Sequence, residues 1–398
     1  MYLVKYSKTI VMKKKIIVPL LLIVVAVLLI GGNRLCNCQG AAYADKALEA
    51  LAETHGNIGI AAAVVKDGEI IYTGTVGYKD LETQEPLEAT DLFRIASVSK
   101  SFTATAIMQL IQEGVLSLDD DVSDLIGFPV RNPNFPDTPI TLRMILSHTS
   151  SMSDKSGYFS LKYIDPKVSG DCRESFNDYA PGTNYEYCNL GYNLAGSIVE
   201  RLTDTRFDVA IRNRVIRPLG LNAGHNVDSL DNELFVSLYT CEDGKFNKSA
   251  AYASTANKMD DYQMGYTAPI FSPTGGVKIS AVDLAKYMTM HLQGGVFENT
   301  RILDEASEMK MREAAWVYPN LNGDAYGFAL ETYKNLIPGK TLVGHTGNAY
   351  GLYSVFAFCP EENWGIVAIT NGCKAYNEDS GDFFTNDAVR RLYESLLK

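Results

Sequence analysis

"RIASVSKSFTATAIMQLIQEG", Arg94 to Gly114, holds Ser97 and Lys100 three residues apart at the front of an apolar run that predicts a helix. Residues at that spacing share one helix face, with Cβ atoms roughly 5–6 Å apart. A serine at a first helical turn meets free backbone N–H groups and the positive end of the dipole, which favour a developing oxyanion. A lysine crowded by apolar neighbours such as Phe102 loses its proton more readily and can serve as a base. Alone, however, the pair reads as a capping serine beside a solvated lysine. Ser307 and Lys310, in "ASEMKM", repeat the spacing with nothing chemical around them. The rest of the chain has to decide.

Upstream, Ala44 to His55 reads as a helix with Ala47, Leu48, Leu51 and Ala52 on one side. "GIAAAVVKDGEIIYTGTVGYKD" then gives two β-rich runs joined at Asp67-Gly68, the strongest short hairpin signal. Near the other end, "YSVFAFCPEENWGIVAITNG" gives a second hairpin turning at Pro360 to Asn363. A last helix follows, with Phe384, Ala388, Val389, Leu392 and Leu396 on one face. Between these ends the chain reads as helical and loop-rich. The expectation is an α/β fold: one antiparallel sheet built from both chain ends and flanked by helices, with a mostly helical lobe inserted at roughly 110–270. The cleft between lobe and sheet is the natural place for a site.

Charge and hydropathy divide the chain unequally. Residues 1–44 carry six basic residues and no acidic one, leaving 30 Lys and Arg against 47 Asp and Glu in residues 45–398. An acidic body without a basic stripe repels phosphate backbones, so no nucleic-acid partner is expected. Behind the Lys13–Lys15 cluster runs "IIVPLLLIVVAVLLIGG", Ile16 to Gly32. This is the pattern of a secretory signal or a membrane anchor, which would hold the basic head in the cytoplasm and export the rest. "AYA" at Ala42–Ala44 offers a cleavage site, and Cys36 and Cys38 raise a lipoprotein reading without the small residue expected before a lipidated cysteine. The division is therefore 1–44, head, signal or anchor and linker, and 45–398, the folded domain. The remaining cysteines, Cys172, Cys188, Cys241, Cys359 and Cys373, show no metal-ligand spacing. They read as small buried hydrophobes, with Cys172 and Cys188 the most local pair available for a disulfide. Neither metal nor cofactor is expected.

Two further stretches change the reading of Ser97. Tyr187-Cys188-Asn189 sits in "GTNYEYCNLGYNLAGSIVE", and His345-Thr346-Gly347 in "TLVGHTGNAYGLYSVF". Each has a decoy, Tyr318–Asn320 for the first and His148-Thr149-Ser150 for the second. Their order matters more: S-x-x-K, then Y-x-N, then H-T-G resembles the serine β-lactamase and penicillin-binding-protein superfamily. The narrower resemblance is to the class C β-lactamase branch, which also holds DD-peptidases, D-amino-acid peptidases and esterases. "LFRIASVSKSFTATAIMQLIQEGVLSLDDDV", "ITLRMILSHTSSM", "SPTGGVKISAVDLAKYM" and "YGFAL" match that family too, from about residue 45 to the C-terminus.

The resemblance implies an exported serine hydrolase in which Ser97 attacks a carbonyl to give an acyl-enzyme. Lys100 and Tyr187 would share the base role, and Asn189 would hold Lys100 and the substrate amide. His345, Thr346 and Gly347 would border the substrate, with an oxyanion hole made by the backbone N–H groups of Ser97 and Asn348. The substrate would be a small ester, amide or D-amino-acid peptide. A peptidoglycan DD-carboxypeptidase or weak β-lactamase is the alternative, and a non-catalytic sensor with this fold the rival from another class. Many relatives carry Lys where His345 stands. A largely neutral histidine docks a carboxylate weakly, which points toward the esterase and D-aminopeptidase members. Ser151 replaces the glycine usual after H-T-S, a loop variation. His148 reads as a satisfied structural histidine, and the acidic surface disfavours anionic substrates unless a local cleft overrides it.

Overall fold

The computed structural model describes residues 40–374, 376–377 and 382–398. The apolar run at 16–32, Cys36 and Cys38 lie outside these residues. Among the described residues, no helix is long and apolar enough to cross a membrane.

The first helix spans 40–55, four residues earlier than the sequence suggests, so Ala42–Ala44 lie inside it with Ala44 buried. The strands Gly59–Lys66 and Glu69–Asp80 form the expected hairpin. Asp67 and Gly68 both have positive φ, 54° and 83°, the turn whose twist matches paired strands. At the other end Leu352–Cys359 pairs with Trp364–Thr370. The two ends then meet, because Gly59–Lys66 lies antiparallel to Trp364–Thr370, with Ala62 opposite Ala368. Leu342–Ala349, which carries His345, and three shorter strands extend the sheet on the far side. Among the described residues it has nine antiparallel strands.

Burial explains the sequence pattern. Ala61, Ala63, Val65, Phe356, Phe358, Val367 and Ile369 share a core with the helices Ser99–Gln112, Asn189–Thr203 and Ala281–Leu292. Ile60, Ala62, Val64, Val355, Ala357, Ile366 and Ala368 pack on the first and last helices. The central strands are thus apolar on both faces and read as continuous runs.

Three details refine the expectations. Ser97 lies not in the α-helix but in a 3-10 turn, Ala96–Val98, just before it. Ala96 takes φ 47°, a left-handed conformation that stops the helix from extending back. The middle is not wholly helical either: Tyr239–Glu242 and Lys245–Lys248 form a hairpin at Asp243-Gly244, the same turn signal as Asp67-Gly68. Cys172 and Cys188 form no disulfide. All five described cysteines are free, and the Cys188 thiol donates to Asp154 instead. Ser151 keeps the left-handed conformation (φ 61°) that glycine would supply, and its buried Oγ accepts from Asn132.

Candidate active site

Lys100 organises the site. Its side chain is fully buried, and Nζ lies 3.1 Å from Ser97 Oγ, 2.8 Å from Asn189 Oδ1 and 3.0 Å from the Thr274 carbonyl. Burial pushes its pKa down to about 7, against an opposing pull from Asp154. The orientation of Asn189 is not ambiguous, because its Nδ2 donates to the Asp154 carboxylate at 2.9 Å and so Oδ1 must face Lys100. Asn189 Oδ1 also accepts from Thr274 Oγ1 at 2.6 Å. Two of the three Lys100 partners are therefore fixed acceptors. Once Lys100 loses a proton, its two remaining N–H bonds serve those acceptors, and its lone pair is left for the Ser97 hydroxyl. That arrangement can take a proton from serine.

Asp154 is a residue that sequence reasoning missed. Besides gripping the Asn189 side chain, it accepts from the backbone N–H groups of Asn189 and Leu190, both at 2.9 Å. It thereby caps the Asn189–Thr203 helix from a loop 35 residues away, which no local pattern announces. Thr274 was missed as well, although its stretch had been matched to the family.

Tyr187 stacks its ring under Lys100, with Nζ 4.6 Å from the ring centroid. Its hydroxyl is buried and meets no partner in hydrogen-bonding geometry, although Ser97 is near enough to favour the ionised form slightly. Burial dominates and holds the phenol well above its ordinary pKa, so Tyr187 is neutral around pH 7. Between Lys100 and Tyr187, the lysine is the group able to be an unprotonated base.

His345 is buried, with Nδ1 2.6 Å from the Thr346 carbonyl and Nε2 3.2 Å from the Tyr326 hydroxyl. Tyr326 in turn reaches His148 Nε2 at 3.2 Å, and His148 Nδ1 accepts from the Cys188 N–H at 3.0 Å. The two ends fix the protons between them. The Cys188 N–H can only donate, so His148 carries its proton on Nε2 and gives it to Tyr326. The Thr346 carbonyl can only accept, so His345 carries its proton on Nδ1 and Nε2 receives from Tyr326. Burial keeps both rings neutral, with the His345 pKa down to about 3. His148 is the satisfied histidine expected from the sequence; the tyrosine joining it to His345 was not foreseen.

Ser97, Asn189 and Asn348 line one cavity of ≈ 370 Å³, together with Arg94, Tyr158 and Tyr350. Thr346 is half-buried, and Gly347 is buried where a Cβ would come within 2.2 Å of the Ile95 carbonyl oxygen. Glycine there lets the H-T-G strand lie against the turn that carries Ser97. Glu331, whose charge acts on Tyr187 and Tyr326, has its carboxyl pushed up by burial to about 7. Among the described residues, no group of three His, Cys, Asp or Glu side chains is placed to hold a metal ion.

Residues 44–387 match the beta-lactamase family model. The chain is 30% identical over 378 residues to penicillin-binding protein 4 of Amycolatopsis lactamdurans, covering 89% of this chain and 90% of that one. Among solved structures it resembles the D-amino acid amidase of Ochrobactrum anthropi SV3, with TM-score 0.67 and 23% identity over 90% of this chain and 98% of that one. It also resembles EstCE1, a hydrolase with promiscuous acyltransferase activity, with TM-score 0.69 and 19% identity over 92% and 100% of the two chains. The protein therefore belongs to the beta-lactamase family and is a serine hydrolase of that family.

Proposed function

We propose that the protein cleaves a small ester, amide or D-amino-acid-containing peptide outside the cytoplasm, through an acyl-enzyme on Ser97. The observation that carries this reading is the hydrogen-bond set of Lys100, which leaves its lone pair for Ser97. Lys100 Nζ takes the proton as Ser97 Oγ bonds to the substrate carbonyl carbon. The oxyanion so formed sits between the backbone N–H groups of Ser97 and Asn348. As the tetrahedral adduct collapses, the proton taken by Lys100 returns to the leaving group, a transfer that Lys100 and Tyr187 share. Water then attacks the acyl-enzyme by the same route in reverse. Asn189 holds the base, and Thr346 and Gly347 border the substrate. Export rests on the basic head and apolar run of residues 5–32.

The neutral, fully engaged His345 offers no cation to a substrate carboxylate, which supports the ester and amide classes over an efficient β-lactamase. A second reading, a peptidoglycan DD-carboxypeptidase, draws on the 30% identity to penicillin-binding protein 4. Intact-mass spectrometry of residues 40–398 after mixing with benzylpenicillin separates the two. Unmodified protein with intact penicillin is expected. A lasting adduct that Ser97→Ala abolishes would establish the second reading instead.

A further inference from the structure

Next to the Ser97 cavity lies another of ≈ 340 Å³, and the two share Arg94, Phe159, Ser272 and Tyr350 in their walls. Strand pairing sets Arg94 directly opposite Lys278. Both residues line this second cavity, in a protein whose overall charge is −11. Lys278 is 4% exposed, and its Nζ donates to the His225 carbonyl at 2.6 Å. Arg94 donates to the carbonyls of Gly275 and Ala251 and lies over the Tyr350 ring at 4.8 Å. Among the described residues, neither cation has a carboxylate within ion-pair distance. Asp208 and Asp228 act on Lys278 only from further off, and both are committed, the first to Arg206 and the second to Thr255. Desolvation, then repulsion from Arg94, hold the Lys278 ammonium well below its ordinary pKa.

A second observation points the same way. His225 Nε2 and Ser272 Oγ are buried, have no hydrogen-bond partner, and belong to residues bordering this cavity. The His225 Nδ1 faces the Phe271 carbonyl at 3.0 Å, so it keeps the ring proton and Nε2 presents a lone pair. Burial pushes the ring pKa down to about 3, so that lone pair stays free. A buried polar group without a partner is costly, and native proteins keep few of them. Two such groups beside the Arg94 guanidinium and a lysine that a bound anion would keep protonated describe a site waiting for an anion with a hydrogen-bond donor close to it. Phe159, Ile270 and Phe271 supply apolar wall for the carbon atoms between.

We infer that this second cavity is a carboxylate subsite: Arg94 and Lys278 hold a substrate carboxylate, and His225 and Ser272 meet a neighbouring N–H or O–H. The inference rests on the Ser97 hydrolase reading for its meaning, since the shared wall puts that carboxylate on the Arg94 side of the reacting carbonyl. It answers how an acidic protein with a neutral His345 could still select an anionic substrate. The attraction is local and lies away from the H-T-G strand.

The test uses Ser97→Ala protein, so that binding is read without turnover, and two probes differing only at the charged end. Hippurate carries an amide N–H one carbon from a carboxylate; N-ethylbenzamide has a methyl group in its place. Titration calorimetry is expected to give at least ~10-fold tighter binding of hippurate, the scale of one charge-assisted contact. Adding Lys278→Met should erase that preference and leave N-ethylbenzamide unchanged. Where Lys278→Met fails to fold, Arg94→Gln makes the same comparison. Equal affinity, absence of binding by both probes, or a preference that survives the substitution overturns the subsite. Fluorophosphonate labelling of the Ser97-containing protein reports separately on the hydrolase reading, so the two can fail independently.

Discussion

Ser97–Lys100 and Ser307–Lys310 share a spacing and almost nothing else. In the second pair, Ser307 N–H is capped by Asp304 and Lys310 pairs with Glu313 on a solvent-facing helix, Glu305–Arg312. In the first, Lys100 has no solvent and no adjacent carboxylate, and three oxygens fix its direction. A cation facing water keeps its proton and contributes little to stability or chemistry. Sealed in a low-dielectric interior among neutral partners, the same side chain is driven toward the free amine. A three-residue spacing sets which side chains can meet; burial and the third partner decide what they do.

Substitutions at the two pairs should differ accordingly. Ser97→Ala should lower hydrolysis of an activated ester by ~10⁴–10⁶ and abolish fluorophosphonate labelling, the scale seen when a serine nucleophile is removed. Ser307→Ala should leave both unchanged, and a loss there would mean that the wrong pair had been chosen. Lys100→Met should cost ~10²–10⁴ in kcat, as for a general base, and Lys310→Met nothing.

How far the sequence foretold this site follows from the physics of each residue. Ser97, Lys100, Tyr187, Asn189 and His345 stood in short ordered motifs, so their meeting was legible. The hairpin at Asp67-Gly68 was legible because two residues with positive φ leave a mark in the sequence. Asp154, Thr274 and Tyr326 act through tertiary hydrogen bonds spanning 19 to 178 residues, and such bonds have no period or spacing to read. The 3-10 turn at Ser97 was hidden because an alanine, not a glycine, takes the left-handed conformation at residue 96.

Smaller effects sharpen the role of these unread residues. Asp154→Asn removes the charge that grips Asn189 and caps its helix. It should lower kcat ~10-fold through a misplaced Lys100 and destabilise the protein by about 1–2 kcal/mol in denaturant unfolding, the usual range for a lost cap. Tyr326→Phe leaves His345 Nε2 without a donor and His148 Nε2–H without an acceptor. A loss of about 1–3 kcal/mol is expected, with labelling of Ser97 retained. Unchanged stability would show that the polarised chain contributes nothing.

The central claim is that burial makes Lys100 the base for Ser97. The rate of Ser97 phosphonylation by a fluorophosphonate, followed by intact mass from pH 5 to 10, tests it most directly. Because the lysine must lose its proton to act, the rate should climb about tenfold per unit at low pH. It should level off through one ionisation near 7, the pKa that burial gives Lys100. The limb should vanish in Lys100→Met. A rate still rising toward pH 10.5, or one indifferent to Lys100, would contradict the account.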